Sequence, residues 1–321
     1  MKLNIEPWDG EYESACRIHD LVEGAYPIFQ RIKRNGAVEF MNEAIKGYEP
    51  SAVVAKIDGM ICGMAMFSIG PNTETITLNG CVDASKRHQG IGTALFDFMM
   101  NELHRYPKTK VIRASALRSC PEGIAFLAEA RFMEIDQLHW SRRDVQAPFP
   151  DWAVSKVEHA QASNLRFVSG AEYETLREDW DRALWHLDSQ TALDIPSTIT
   201  QELPPFEKWR ESLESPFNNR ANAILALDNL EPVGVLKLGQ LTNGGMNINY
   251  TAVARTHRRR GLSTALKLKA FEHAAESGAE MITTQNHHHN PMLDLNLKLG
   301  FERLDSLVEF TRSIEGVKSK A

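Results

Sequence analysis

The sequence predicts an α/β protein of the α+β kind, built from two tandem domains that share one fold. The first observation is a repeat: residues 87–95 read RHQGIGTAL, and residues 258–266 read RRRGLSTAL. The copies lie about half a chain apart, which is the spacing of duplicated domains and not of solenoid repeats. The second observation is the length of 321 residues, which suits two domains of about 150 residues each.

A domain boundary is predicted near residues 147–151. Pro148 and Pro150 fall within this short segment, and closely spaced prolines disfavour a helix and suit a stiff connector. The sequence therefore predicts one domain over residues 1–147 and a second over residues 148–321.

The first half reads as two helices, an antiparallel meander and a closing βαβ unit. Asp58-Gly59 between two apolar runs is typical of a hairpin turn, and the β-branched residues that precede the repeat favour a strand. The predicted helices are 11–21, 37–46, 91–103 and 122–130; the predicted strands are 52–57, 61–69, 75–82 and 111–116.

The second half repeats this order of elements. The predicted helices are 172–186, 206–213, 262–277 and 292–299; the predicted strands are 223–227, 233–238, 246–253 and 281–285. When the two halves are aligned on the repeat, each is expected to form a mixed, mostly antiparallel sheet flanked by helices.

Composition excludes several classes of protein. The net charge of −6 argues against a general nucleic-acid binder, which is usually basic. The sequence contains no run of 18 apolar residues, so no membrane span is expected. The first residues also lack the apolar core of a signal peptide. The four cysteines are widely spaced and are expected to be reduced thiols, so we expect a cytoplasmic protein.

Each repeat places a glycine turn between a strand and a helix, where a phosphate group can bind. The first N–H groups of a helix have no intrahelical partner and lie at the positive end of its dipole. Gly90 and Gly92 allow close approach of a diphosphate, as do Gly261 and Ser263 in the second copy. Leu95 stands where a dinucleotide-binding motif needs its third glycine, so a nicotinamide oxidoreductase is a distant alternative.

Residues 87–92 resemble the Q/R-x-x-G-x-G/A signature of the Gcn5-related N-acetyltransferases (GNAT), and residues 258–263 match it except for Ser263. Residues 284–301 resemble the second block that this family shares. The resemblance covers about 300 residues and includes the order of elements. It implies two tandem GNAT-type domains.

The resemblance implies acetyl-CoA as a co-substrate, with a site in each half and no metal. The acceptor would be the primary amine of a small molecule or peptide. No nucleic-acid or membrane partner is expected. The protein is expected to be a monomer or a homodimer. Residues 26–48 and 188–209 are expected to form the acceptor pocket. The expected acetyl-CoA contacts are Val82, Arg87, Gln89, Gly90, Ile91, Gly92, Thr93, Val253, Arg258, Arg260, Gly261, Leu262, Ser263, Thr264, Asn286 and Asn290.

Both halves depart from the family's pattern at the position of its catalytic acid. Many family members place an acidic tyrosine where this chain has Leu127 in the first half and Asn296 in the second. We expect Asn296 and Tyr250 to be catalytic and favour the second half as the active one, although a strand tyrosine is often simply packed. The alternative is a CoA-binding regulatory or sensor protein without transferase activity.

Overall fold

The computed structural model describes residues 2–25, 52–69, 74–194, 204–214, 219–241 and 243–314. The predicted helix 37–46 lies outside these residues. The chain forms two compact units, one of Met1–Asp136 with Leu307–Ala321 and the other of Gln137–Ser306.

The first unit contains a sheet with helices on both faces. Its order is β1-β2-β3-β4-β5, followed by residues 307–313 of β12, and only the β4–β5 pair is parallel. Helix α1 packs on one face through Ile18, and α2 packs on the other through Ile91 and Leu95. The elements are β1 Leu3–Pro7, α1 Tyr12–Ala25, β2 Ala52–Ile57, β3 Met60–Ile69, β4 Thr75–Val82, α2 Ile91–Glu102, β5 Val111–Leu117, α3 Pro121–Glu129 and β12 Glu302–Ser313.

The second unit repeats this arrangement. Its order is β7-β8-β9-β10-β11, followed by residues 138–144 of β6, and the β10–β11 pair is parallel. Helix α8 covers one face, and α6 and α7 cover the other. The elements are β6 Met133–Asp144, α4 Asp151–Ala162, β7 Arg166–Ser169, α5 Gly170–Leu176, α6 Trp180–Ala192, α7 Phe206–Ser212, β8 Ala223–Asp228, β9 Glu231–Gln240, β10 Met246–Val253, α8 Leu262–Glu276, β11 Met281–His287 and α9 Pro291–Lys298.

The last strand of each sheet comes from the other half of the chain. Phe310 of β12 pairs opposite Ala114 of β5, and Trp140 of β6 pairs opposite Gln285 of β11. The compact units are therefore drawn differently from the linear halves 1–147 and 148–321. That linear division describes the order of the duplicated elements and stays a prediction.

The predicted fold class is confirmed, with local corrections. The predicted helix 172–186 is wrong as a single element, because the chain leaves α5 at Arg177, whose backbone is extended at φ −148°. The strands β1, β6, β7 and β12 and the helix α4 were not predicted. Helix α4 begins directly after Pro150, so the proline segment leads into a helix of the second unit.

Candidate functional site

In each unit the two parallel strands stay together for three residue pairs only. Residues Thr75–Thr77 pair with Val111–Arg113, and Met246–Ile248 pair with Ile282–Thr284. Strands β4 and β10 then continue without that pairing as far as Val82 and Val253. Each unit therefore has a wedge-shaped gap between two strand ends, with backbone groups turned toward it; we call these gaps the first and second clefts.

A left-handed glycine closes the end of each cleft. Gly90 (φ +79°) and Gly261 (φ +81°) immediately precede helices α2 and α8, and neither helix start has a side-chain cap. His88 and Arg259 adopt left-handed conformations two residues earlier in the same turns. The uncapped N–H groups at each helix start are therefore available to a ligand anion.

An arginine ties each turn to the end of its strand. Arg87 Nε donates to the Val82 carbonyl at 3.4 Å, and Arg258 Nε donates to the Val253 carbonyl at 3.0 Å. In the second unit, Asp194 also accepts hydrogen bonds from Arg255 and Arg258. These bonds hold the pKa of Asp194 well below its ordinary value, so the carboxylate stays charged and fixes both cations.

The first cleft contains a cavity of about 520 Å³, within the range of small-molecule and cofactor sites. Its walls come from the ends of β4 and β5 and from helices α2 and α3. Gln89, which is exposed at the tip of the turn, is not among the lining residues. The other predicted first-half contacts line it: Val82, Arg87, Gly90, Ile91, Gly92 and Thr93.

The second glycine turn is covered by a side chain. Lys156 of α4 passes so close to Gly261 that its Cδ is 2.6 Å from the position a Cβ would take there. Leu262 and Thr264 are buried, whereas Arg260 is exposed and Ser263 is half-buried. The predicted contacts Gly261 to Thr264 therefore offer mainly backbone groups to this cleft.

The walls of the two clefts differ in polarity at three equivalent positions. Six residues after the left-handed glycine, the first unit has Phe96 and the second has Lys267. The sixth residue of β5 is an alanine, while that of β11 is Asn286. The last helix of each unit is followed by a left-handed residue, Arg131 or Gly300. Four residues before it, the first unit has Leu127 and the second has Asn296.

Two of the three asparagines predicted for the second cleft bind each other. Asn296 Nδ2 donates to Asn286 Oδ1 at 2.7 Å, and Asn296 Oδ1 is buried without a partner among the described residues. Asn290 does not join this pair, because its side chain accepts from the N–H of Met292 and caps α9. A buried acceptor without a partner is costly unless a ligand satisfies it.

Tyr250 is not brought together with Asn296. Its ring packs with the cluster under α6 and α7, whereas α9 packs with the cluster under α8. The Tyr250 hydroxyl lies 2.6 Å from Thr191 Oγ1, just after an irregularity in the β9–β10 register. Burial, and next the Asp188 carboxylate, raise the pKa of Tyr250 far above its usual value, so this phenol keeps its proton.

Sequence reasoning missed three lysines at these sites. Besides Lys156 and Lys267, Lys237 forms a buried ion pair with Asp188, whose Oδ2 also accepts from Trp209 Nε1 at 2.8 Å. The repeat could have revealed Lys267, because aligning the two glycine turns places this lysine at the position of Phe96. The positions of Lys156 and Lys237 depend on contacts between distant segments.

The histidine run 287–289 ends β11 and forms the following turn. His288 Nδ1 lies 3.0 Å from Nε2 of His139, a buried residue of β6. His139 Nδ1 in turn lies 2.7 Å from Ser306 Oγ. These contacts anchor the turn to the neighbouring strand within the second unit.

Comparison with known proteins agrees with this geometry. Residues 182–301 match the family model described as Acetyltransferase (GNAT) family. No curated protein matches the chain. Within the described residues, no helix is long and apolar enough to cross a membrane.

Solved structures share the fold over nearly the whole chain. A GCN5-related N-acetyltransferase from Sphaerobacter thermophilus has a TM-score of 0.73 at 15% identity, over 97% of this chain and 96% of its own. A tandem GNAT protein from the clavulanic acid biosynthesis pathway has a TM-score of 0.68 at 17% identity, over 97% and 98%. At these identities the likeness establishes the fold.

Proposed function

We propose that this chain, whose residues 182–301 match the GNAT family model and whose fold is shared by a tandem GNAT protein, is an N-acetyltransferase. It would transfer an acetyl group from acetyl-CoA to a primary amine of a small molecule or peptide. The observation that carries the proposal is the cleft between parted strands, closed by a left-handed glycine at a helix start, which occurs twice.

The first cleft fits a long phosphorylated carrier. Among the described residues, no neighbouring atom lies within 4 Å of the position a Cβ would take at Gly90, so this turn is open to a diphosphate. The backbone of Val82 and the N–H groups from Gln89 to Thr93 would hold the carrier, with Arg87 adding charge. Charge-assisted hydrogen bonds contribute roughly 1.5–3 kcal/mol each, so a few of them would dominate binding.

The second cleft would bind through the equivalent groups. These are the backbone at Val253, the guanidinium groups of Arg258 and Arg260, and the N–H groups from Gly261 to Thr264. Asn286 and Asn290 would border the arm that carries the thioester. Binding here requires the Lys156 side chain to move from its position over Gly261.

We place acetyl transfer in the second unit because its cleft carries the polar walls. Bound acetyl-CoA supplies the reactive thioester. A lysine-like amine has a pKa near 10.4, so only about one molecule in a few thousand is neutral at pH 7. Asn296 would orient the reacting groups by hydrogen bonding. Tyr250, which packs on the other face and keeps its proton, would act through its bond to Thr191 and not on the thioester itself.

The acceptor pocket remains a prediction. Residues 26–48 lie outside the described part of the chain, and residues 188–209 are described only to 194 and from 204 onward. The expected cytoplasmic location and monomeric or dimeric state likewise stay predictions.

A regulatory CoA-binding protein is the second candidate. Two observations favour it: the open first cleft has apolar walls at the three compared positions, and Lys156 covers the second glycine turn. Such a protein would bind acetyl-CoA in the first unit and transfer nothing.

Calorimetry and an amine screen test these two functions together. Acetyl-CoA is titrated into the wild type, Gly90→Asp and Gly261→Asp, because a carboxylate in either turn repels the diphosphate. Gly59→Asp is a matched control, since it introduces the same charge at a left-handed glycine (φ +80°) in open space. Thiol release with a panel of amines then measures transfer.

We expect binding to both clefts, and loss of amine-dependent thiol release in Gly261→Asp. Binding that Gly90→Asp abolishes, together with no thiol release for any amine, would establish the regulatory protein instead. Absence of binding in the wild type at millimolar acetyl-CoA would reject both candidates.

A further inference from the structure

We infer that Lys267 is the proton donor to the thiolate that leaves acetyl-CoA in the second cleft. This residue was not among the predicted site residues, and the inference rests on the proposed transferase function. It assigns to a lysine of α8 the proton that the family's tyrosine would otherwise supply at the position of Asn296.

The amine of Lys267 is buried. Lys267 is 1% exposed, and among the described residues it has no hydrogen bond or ion pair. The ring of Phe301 lies beside the amine, with its centroid 5.9 Å from Nζ. Burying an amine without a polar partner is expensive, and an apolar residue would pack here at lower cost, so a structural role does not account for this lysine.

Lys267 lies on the face of α8 that corresponds to the cavity-lining face of α2. Ser263 and Lys267 are four residues apart and share one face of α8. Their equivalents in the first unit are Gly92 and Phe96, and both line the first cavity. A Cβ at Gly92 would lie 3.8 Å from Phe126 of α3, so this face looks across the cleft toward the last helix.

A second orphan group lies on the opposite wall. The Oδ1 atom of Asn296, on α9, is buried and unpaired. Phe301, which neighbours the Lys267 amine, donates its backbone N–H to the Asn296 carbonyl at 3.0 Å. One wall therefore offers a buried donor and the other a buried acceptor, and a ligand between them would satisfy both.

The protonation state of Lys267 supports this assignment. Burial lowers the pKa of Lys267 to about 7, so the amine gives and regains a proton near neutral pH. Burial is the only cause. The charged groups on the elements around α8 are Lys156 of α4, Arg143 of β6, and Asp294 and Lys298 of α9, and none of them is paired with the Lys267 amine.

The step balances without another reactant. The neutral acceptor nitrogen attacks the thioester carbonyl carbon, the carbon–sulfur bond breaks, and its electron pair remains on sulfur. The ammonium of Lys267 gives one proton to that sulfur and forms the thiol of CoA. The acceptor nitrogen loses one proton as the amide forms, and that proton restores the ammonium.

The test measures the thiol of bound CoA by the ultraviolet absorbance of its thiolate across a pH series. Gly90→Asp is the background, so that the bound CoA reports the second cleft. Lys267→Met removes the charge at similar length, and Lys267→Arg keeps a charge that does not release its proton. Lys269→Met, at a half-buried position two residues further along α8, is the matched control.

We expect the ammonium of Lys267 to lower the thiol pKa of bound CoA by about one unit from the ordinary thiol value near 8.5. Lys267→Met should abolish this shift and lower turnover about 10-fold to 100-fold. Lys267→Arg should keep the shift and still lose turnover, which a merely structural lysine would not produce. Lys269→Met should behave as the background.

Two outcomes would overturn the role of Lys267 and leave the transferase proposal standing. One is an ordinary thiol pKa of bound CoA in the Gly90→Asp background. The other is the same lowered thiol pKa in Lys267→Met with CoA bound. Failure of the background variant to bind CoA overturns the proposed use of the second cleft, and with it this inference. Lys267→Met should fold, because replacing an unpaired buried amine with an apolar side chain favours the folded state.

Discussion

Lys156 lies across the turn at Gly261: its Cδ is 2.6 Å, and its Cγ 3.0 Å, from the position of a Cβ at residue 261. Gly261→Ala must therefore displace this side chain as well as hold a left-handed alanine. We expect a loss of about 1–2 kcal/mol in the free energy of unfolding from the backbone, and about 0.5–1.5 kcal/mol more from an off-rotamer Lys156. Urea unfolding of Gly261→Ala measures the sum of these two losses.

Gly90→Ala is the control for that prediction. Its φ of +79° is nearly the same, but no neighbouring atom in the described part of the chain lies within 4 Å of the new Cβ, so only the backbone cost of about 1–2 kcal/mol applies. The double variant Gly261→Ala with Lys156→Ala should lose only this same backbone contribution to the free energy of unfolding. Equal losses in Gly90→Ala and Gly261→Ala would show that the Lys156 contact has no energetic weight.

Asn296→Ala should lower turnover about 10-fold to 100-fold, which corresponds to about 1.4–2.7 kcal/mol. It should barely change the affinity for acetyl-CoA, because the diphosphate groups bind at the glycine turn. Steady-state kinetics and calorimetry separate the two effects. Leu127→Ala, the equivalent change in the first cleft, should leave turnover within a few-fold, and a comparable loss there would move the active site to the first unit.

Tyr250→Phe should leave the pH dependence of turnover unchanged below pH 10. The folded-state pKa of Tyr250 is raised above its ordinary value of 10.0, so its contribution to stability is intact below pH 10 and is lost as the pH rises further. The variant should lose about 1 kcal/mol at pH 7, from the bond to Thr191. It should also lose less stability than the wild type between pH 10 and 11. A basic limb near pH 8 that disappears in Tyr250→Phe would contradict this.

Lys237→Met should be strongly destabilising, by about 3–5 kcal/mol, because it leaves the buried Asp188 carboxylate uncompensated. Adding Asp188→Leu should recover most of that loss, since the pair is then replaced by apolar side chains. A double-mutant cycle from thermal unfolding measures the coupling. A loss below about 1 kcal/mol in the single variant would mean that water reaches Asp188.

Part of the site follows from the sequence because it is local. A glycine preceding a helix, after a β-branched strand, is enough to predict a left-handed turn with free N–H groups. The structure has such turns at Gly90 and Gly261. The Asp58-Gly59 hairpin likewise has positive φ at both residues, because that turn type depends on its two central residues alone.

The tertiary structure decided which distant residues meet. Strands β6 and β12 complete sheets of the opposite halves, the stem of Lys156 covers Gly261, and Tyr250 lies on a different face from Asn296. None of these has a local signal, because a strand's partner and a helix's packing face depend on the surface that the rest of the chain presents. The repeat alone determined that two similar clefts would form; long-range packing opened one around a cavity and placed the unpaired Lys267 in the wall of the other.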